Sequence, residues 1–441
     1  MDFPCTVVVL DGVMRTAERD SNSRKGQGMA FRLDIIKAYS VSEIEAKVAD
    51  ALKRYSDLLP GDISAKIVIK PNMNSNMNAL TGNTTDLRLV AAVIKFLKGC
   101  GYGDISIAEG TNSGFYRSGI SVISRLSFDQ LAKFYGVKVI DLNYSKKVEI
   151  GFEDGVKASV ARDCVEADFL INMPKLKTHF EAGMSVCLKN LMGCLVGQEN
   201  KKKTHLHLAK NIVNINKRVK PGLHIVDGLI SMEGLGPTRG TPVRTGVVLI
   251  GTDPYLIDLV CARLADFDYK KVRTLKAAEA AGLLTKDHHR FASSIDLSGV
   301  KRKFKEPVAN AFASFIHSPK RQKYFLAVRN TKVFSHLCNT RFFGNLLFKT
   351  GLRQDNFIKT EMEFKGFSFD KARCVKGCTK CADYCPVRLK LPDVVTARDN
   401  GCIECQYCFL VCPSGAIGFK GSMGFLSEQL RQYERITKEI A

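Results

Sequence analysis

A chain of 441 residues, 45% apolar and 25% charged, has the length for two or three domains and the composition of a globular protein. It contains no run of about 18 apolar residues that would span a bilayer, and Asp2 and Asp11 spoil the N-terminus as a signal peptide. The expectation is a cytoplasmic protein, and a net charge of +22 suits an acidic partner or an anionic membrane surface, with nucleic acid less favoured.

Residues 1–28 read as an irregular N-terminal extension, and better patterning opens at Met29, taken either as the native start or as the end of a mobile arm. From there strands and helices alternate. Ala65–Lys70 is a short β-branched strand, and Asp86–Lys98 puts Leu87, Val90, Ala91, Ile94 and Leu97 on one helical face. Strand Ile105–Ala108, a helix within Ser121–Tyr135 and strands Val137–Leu142 and Asp168–Asn172 follow. A helix is expected around Glu181–Val196, then strands Leu223–Val226 and Val247–Ile250 and helix Pro254–Ala265. This rhythm predicts an α/β domain over 29–300, an open parallel-type sheet with helices on both faces. The rest divides into a basic aromatic connector (301–365), a cysteine module (366–422) and a C-terminal helical segment (423–441) with its helix at Leu426–Ile440.

The connector carries half of the excess charge. Residues 301–360 hold thirteen Lys or Arg against Glu306 and Asp355, interleaved with nine phenylalanines. Two readings compete: helices that bury their aromatics between domains, or a surface that rests on anionic lipid.

Fifteen cysteines are unevenly placed, eight of them between Cys374 and Cys412. A disulfide scaffold would be short and evenly stapled, so the scattered thiols read as reduced core residues and the dense group as a metal site. The two runs are Cys374-x3-Cys378-x2-Cys381-x3-Cys385-Pro386 and Cys402-x2-Cys405-x2-Cys408-x3-Cys412-Pro413. Paired zinc sites would use separated pairs of cysteines, whereas each triplet here precedes a Cys-Pro. The spacing is that of two [4Fe–4S] clusters, with the fourth cysteine of each run crossing to the other cluster. Cys374, Cys378, Cys381 and Cys412 then hold one, and Cys402, Cys405, Cys408 and Cys385 the other. The first run has one extra residue, which Gly377 absorbs if it takes a positive φ. The module resembles two-cluster bacterial ferredoxins, which implies transfer of single electrons at low potential.

In the α/β region, polar groups follow predicted strands: Lys70, then Lys175, Lys177 and His179, then Asp227 and Glu233, then Asp253 and Asp258. Ligands of open parallel sheets bind beyond the strands' carboxyl ends, so these are the candidate site residues. The lysines and His179 would hold an anion or donate protons, and the acids would serve as acid/base groups or hard-metal ligands. Gly234-x-Gly236-x3-Gly240 has the wrong spacing for a dinucleotide loop and leads into strand-like sequence. Cys187 and Cys194 read as core, and His205 and His207 as solvated loop.

The blocks KPN (70–72), NMPKLKTH (172–179), LKNLMG (188–193), VDG with MEGLGP (226–237) and TDP to Asp258 (252–258) resemble the family catalogued as domain of unknown function 362, often fused to a ferredoxin module. The resemblance implies an α/β domain of uncharacterised activity. The functional expectation is an iron–sulfur electron-transfer protein or oxidoreductase whose clusters serve an anionic or metal-bound ligand, either a small anionic substrate or a group on a redox partner protein. A non-catalytic electron-transfer adaptor, and a peripheral membrane or nucleic-acid binder acting through 301–360, are the alternatives.

Overall fold

The computed structural model describes residues 31–307, 357–397 and 401–441, the backbone of two strands near the N-terminus, and a few isolated positions between 331 and 346. Its strands in the α/β part are β1 (Val7–Leu10), β2 (Val13–Thr16), β3 (Leu33–Lys37), β4 (Ile67–Lys70), β5 (Ile105–Glu109) and β6 (Lys138–Asp141). After a separate hairpin, β7 (Lys147–Gly151) and β8 (Lys157–Ala161), come β9 (Phe169–Asn172), β10 (Lys175–His179), β11 (Gly183–Ser185), β12 (Leu223–Glu233) and β13 (Thr241–Gly251). Eleven of them form one sheet in the order β1-β2-β3-β13-β12-β9-β4-β5-β6, with β10 beside β12 and β11 beside β10.

The run from β12 through β9, β4 and β5 to β6 is parallel. Strand β4 is buried along its whole length, as a parallel strand covered on both faces must be. Helix Leu87–Gly99 buries the predicted apolar face, and the Asp86 side chain caps it by accepting the Arg88 amide. Helix Pro254–Leu264 is capped by Asp253, which accepts the amides of Tyr255 and Leu256. Separate apolar clusters cover the two faces of the sheet.

The expected parallel-type sheet with helices on both faces is present, and it carries an antiparallel flank: β12 turns back into β13, which pairs antiparallel with β3. The glycines at 234–240 make that return, so the stretch is a hairpin connection. Two expectations are corrected. The N-terminal extension is not wholly irregular, because β1 and β2 pair antiparallel and β2 continues onto β3. The second correction is the helix over Glu181–Val196. Here β11 pairs with β10, only Cys187–Asn190 is α-helical, and Leu191–Cys194 is a 3-10 turn. Pairing with a neighbouring strand outweighed the helical periodicity.

The cysteine module has strands β14 (Glu363–Phe369) and β15 (Ile417–Ser422) and short helices Lys380–Asp383 and Tyr407–Val411. Its Tyr384, Ile403, Tyr407, Leu410 and Val411 belong to the same apolar cluster as Ile67 and Leu89 of the α/β part. The C-terminal helix Leu426–Ile440 adds to the contact: Tyr433 donates to Gly240 O at 3.0 Å, and Gln429 accepts the Asn78 amide. Residues 308–356, apart from the isolated positions, lie outside the described residues, so most of the basic connector does too.

Candidate functional site

Strands β4 and β5 run side by side and end in opposite charges. Lys70 Nζ stands 3.0 Å from Glu109 Oε2, and both side chains are buried. Glu109 also accepts the amides of Met73 and Gly110. The loop at Gly193 lies directly on this pair, since a Cβ there would come within 2.0 Å of Glu109 Oε1. Only glycine permits so close an approach.

Around the pair, amides knit the chain-distant blocks together. Asn190 donates to Asn172 Oδ1 at 2.8 Å and accepts from Asn72 at 2.9 Å. Lys177 Nζ donates to Asn72 Oδ1 and to Asn83 O. Lys201 donates to Gly110 O, Thr111 O and Asn143 Oδ1, and burial lowers its pKa to about 8. The sequence places Glu109 after a predicted strand, although it is not among the candidate site residues, and it leaves out Asn190, which stands in a motif block, and Lys201, which nothing local marks.

The candidate acids are dispersed. Asp227 pairs with Lys175 at 2.8 Å with both fully buried, and accepts the Asp86 amide. Burial raises the Asp227 pKa, Lys175 opposes the rise and Asp86 adds to it. Glu233 faces the start of the basic connector, accepting the Lys305 amide at 3.1 Å. Asp253 is the helix cap already described and also faces His288. Asp258 accepts the amides of Cys187 and Leu188, and burial pushes its pKa to about 7. The structure thus gives Glu233, Asp253 and Asp258 anchoring duties and does not bring them to the Lys70–Glu109 pair.

His179 ends β10 and belongs to a second group. Its Nδ1 accepts the amides of Glu181 and Ala182, and its ring stacks on Phe180 with centroids 5.3 Å apart. Burial lowers its pKa well below the ordinary value, and Lys189 is the strongest charge acting in the same direction. Glu181 stands 3.3 Å from His205 Nδ1, which corrects the solvated-loop reading of His205; His207 is exposed and faces Asp154.

In the cysteine module, Cys385, Cys402, Cys405 and Cys408 line one pocket, with Pro386, Val387 and Leu391 among its apolar walls. Backbone amides are aimed at the sulfurs: Leu389 N lies 3.4 Å from Cys385 Sγ, and Glu404 N 3.4 Å from Cys402 Sγ. The intervening Glu404 and Gln406 take φ of 55° and 65°, winding the chain around the cavity. The Cys381 thiol is faced by Cys378 and Cys412, and Gly377 has φ 77°. Among the described residues no three His, Cys, Asp or Glu side chains converge on a point as ligands of a single ion. Four thiols spread around a cavity suit a larger polynuclear group, and the donor set is compatible with iron–sulfur binding.

Residues 67–263 match the family model described as Domain of unknown function (DUF362). The thylakoid-associated protein sll1697 of Synechocystis sp. (strain ATCC 27184 / PCC 6803 / Kazusa) is 27% identical over 237 residues, which are 51% of this chain and 69% of that protein. Among solved structures, the lactate racemase apoprotein from Thermoanaerobacterium thermosaccharolyticum matches 58% of this chain and 60% of its own, with a TM-score of 0.38 and 14% identity. A Thermotoga maritima protein matches 56% of this chain and 59% of its own, with a TM-score of 0.30 and 13% identity. The chain therefore covers less than two thirds of either solved chain. No helix among the described residues is long and apolar enough to cross a membrane.

Proposed function

We propose that the protein is an iron–sulfur electron-transfer protein or oxidoreductase in which two [4Fe–4S] clusters serve an α/β domain with an anionic or metal-bound ligand at its strand ends. One observation carries this reading: Cys385 shares a cavity with Cys402, Cys405 and Cys408 of the other run. That grouping is the one a crossed ligand set of a two-cluster module would require. Cys374, Cys378, Cys381 and Cys412 would hold the other cluster. When bound, such clusters take up and release single electrons. The chain supplies the rest: amides of Leu389 and Glu404 directed at sulfur, and apolar walls from Val387, Leu391 and Ile403. The module also shares an apolar core with the α/β domain, so the electron carrier and the strand-end site belong to one packed body.

Anaerobically purified protein should contain about eight iron and about eight sulfide per chain. Stoichiometric zinc without sulfide would overturn the proposal. Cys405→Ala should lose more iron than Cys374→Ala, whose spacing is irregular; equal losses would make the extra residue harmless. Reoxidation of the dithionite-reduced protein by a small substrate alone distinguishes an oxidoreductase from an adaptor that needs a partner protein.

A second reading, peripheral attachment to an anionic membrane through 301–360, is favoured by the thylakoid-associated relative and by the charge of that segment. Replacing Lys320, Arg321, Lys323 and Arg329 with glutamine should then abolish pelleting with anionic vesicles at low salt. Wild-type protein that ignores such vesicles rules this reading out.

A further inference from the structure

The two sets of cysteines have different neighbours. Residues flanking Cys385, Cys402, Cys405 and Cys408 are bonded to the α/β domain. The Tyr135 hydroxyl donates to Pro386 O at 3.4 Å, the Ser127 hydroxyl to Glu404 O at 3.2 Å, and Arg388 pairs with Glu45 at 3.1 Å. Cys405 itself packs against the apolar cluster that holds Ile67 and Leu89.

The stretch carrying Cys374 and Cys378 turns inward on the module instead. Among the described residues its hydrogen bonds all stay there: Asp370 accepts the Ala372 amide at 3.0 Å, Arg373 donates to Ser414 O at 2.8 Å, and Thr379 donates to Asp383 at 2.7 Å. Cys374 packs on the module's own small apolar cluster, with Phe367, Ala416 and Ile417.

This stretch is also exposed and of one sign. Lys371, Arg373 and Lys376 are exposed, Lys380 is half-buried, and residues 371–380 contain no acid. None of the four pairs with a described carboxylate, and Val375 stands among them 53% exposed. The loop of the other set, 401–405, carries Glu404 and no cation. An apolar residue ringed by cations steers and seats an acidic protein. The neighbouring thiols select which kind: a lipid headgroup or a nucleic acid neither gives nor takes an electron.

We propose that residues 371–380 dock an acidic one-electron carrier protein beside Cys374, Cys378, Cys381 and Cys412. Single electrons are exchanged with the carrier at that set, and Cys385, Cys402, Cys405 and Cys408 form the set that faces the α/β domain. Each transfer moves one electron between carrier and chain, and no bond forms or breaks. This rests on the cluster reading above and assigns the two sets separate duties.

The test compares two triple variants of the iron-replete full chain. One carries Lys371→Glu, Lys376→Glu and Lys380→Glu; the control carries Lys217→Glu, Lys220→Glu and Lys276→Glu, exposed cations of the α/β domain. After reduction with dithionite, reoxidation is followed at low salt with anionic cobalt(III)–EDTA and with cationic hexaammineruthenium(III). The 371–380 variant should react about tenfold slower with the anion and faster with the cation, and the control should stay within about twofold of wild type. At about 0.5 M salt the differences should shrink. A structural defect would not change sign with the charge of the oxidant. Binding supplies a second readout: an acidic flavodoxin should slow amide exchange in 371–380 and not in 401–405, and the 371–380 variant should lose that protection. Equal effects of the two triple variants, protection at 401–405 instead, or no protection by flavodoxin would each overturn the inference in protein with full iron and sulfide. Failure of the cluster reading shows separately, as missing iron and sulfide in the wild type.

Discussion

Gly193 has no room for a side chain, and the reason is a buried charge pair. A Cβ would meet Glu109 Oε1 at 2.0 Å and Lys70 Nζ at 2.7 Å, so Gly193→Ala must lift the loop or displace the pair. Urea denaturation should show a loss of about 1–3 kcal/mol. Lys70→Met leaves the Glu109 carboxylate buried without its partner and should cost about 3–5 kcal/mol, whereas Lys70→Met with Glu109→Leu should recover part of that loss. Asp258 offers a pH test. Burial raises its folded pKa from 3.8 to about 7, so the folded chain holds this proton more tightly than the unfolded one. Its contribution to stability should fall as pH rises from 3.8 to about 7 and then level off. Asp258→Asn should remove that slope from the unfolding free energy, and an unchanged slope would assign it elsewhere.

At the scale of elements, the first turn of helix Leu87–Gly99 joins the two parts of the molecule. Arg88 is 1% exposed, pairs with Asp86 at 2.7 Å, donates to Tyr39 O and lies over the Tyr384 ring at 4.0 Å. Tyr384 precedes a proposed cluster ligand, and the Tyr407 hydroxyl meets the Leu87 amide at 3.4 Å. One guanidinium therefore neutralises the buried acid that caps the helix and stacks on the cysteine module. Arg88→Met should cost about 3–5 kcal/mol by leaving Asp86 unpaired. It should also speed proteolytic release of the module, and unchanged digestion would show that apolar packing alone holds it.

For the whole molecule, the shared core makes the module part of the α/β domain's stability rather than a tethered unit. A metal bound by the folded state alone stabilises whatever folds with it. Iron-replete protein should thus unfold by calorimetry in one transition, displaced to lower temperature when the iron is stripped. Two transitions, with the larger unaffected by iron, would show that the parts unfold independently.

What the sequence determined by itself is local. The 3.6-residue stripe of Leu87–Gly99, the apolar β4 and the Leu426–Ile440 helix depend on neighbours a few residues away, and each stands where the pattern placed it. The polar blocks at 70–72, 172–177 and 188–193 are likewise legible as strand-end or motif residues, and three asparagines tie them together. Tertiary structure decided the rest. Whether 181–196 became helix or strand depended on β10 lying alongside, a partner that periodicity cannot see. Whether Asp258 faced a ligand or anchored the chain depended on two amides seventy or so residues away coming within hydrogen-bond reach. A carboxylate's chemistry is set by what stands within about 3 Å of it, and in a folded chain that neighbour is chosen by packing rather than by sequence order.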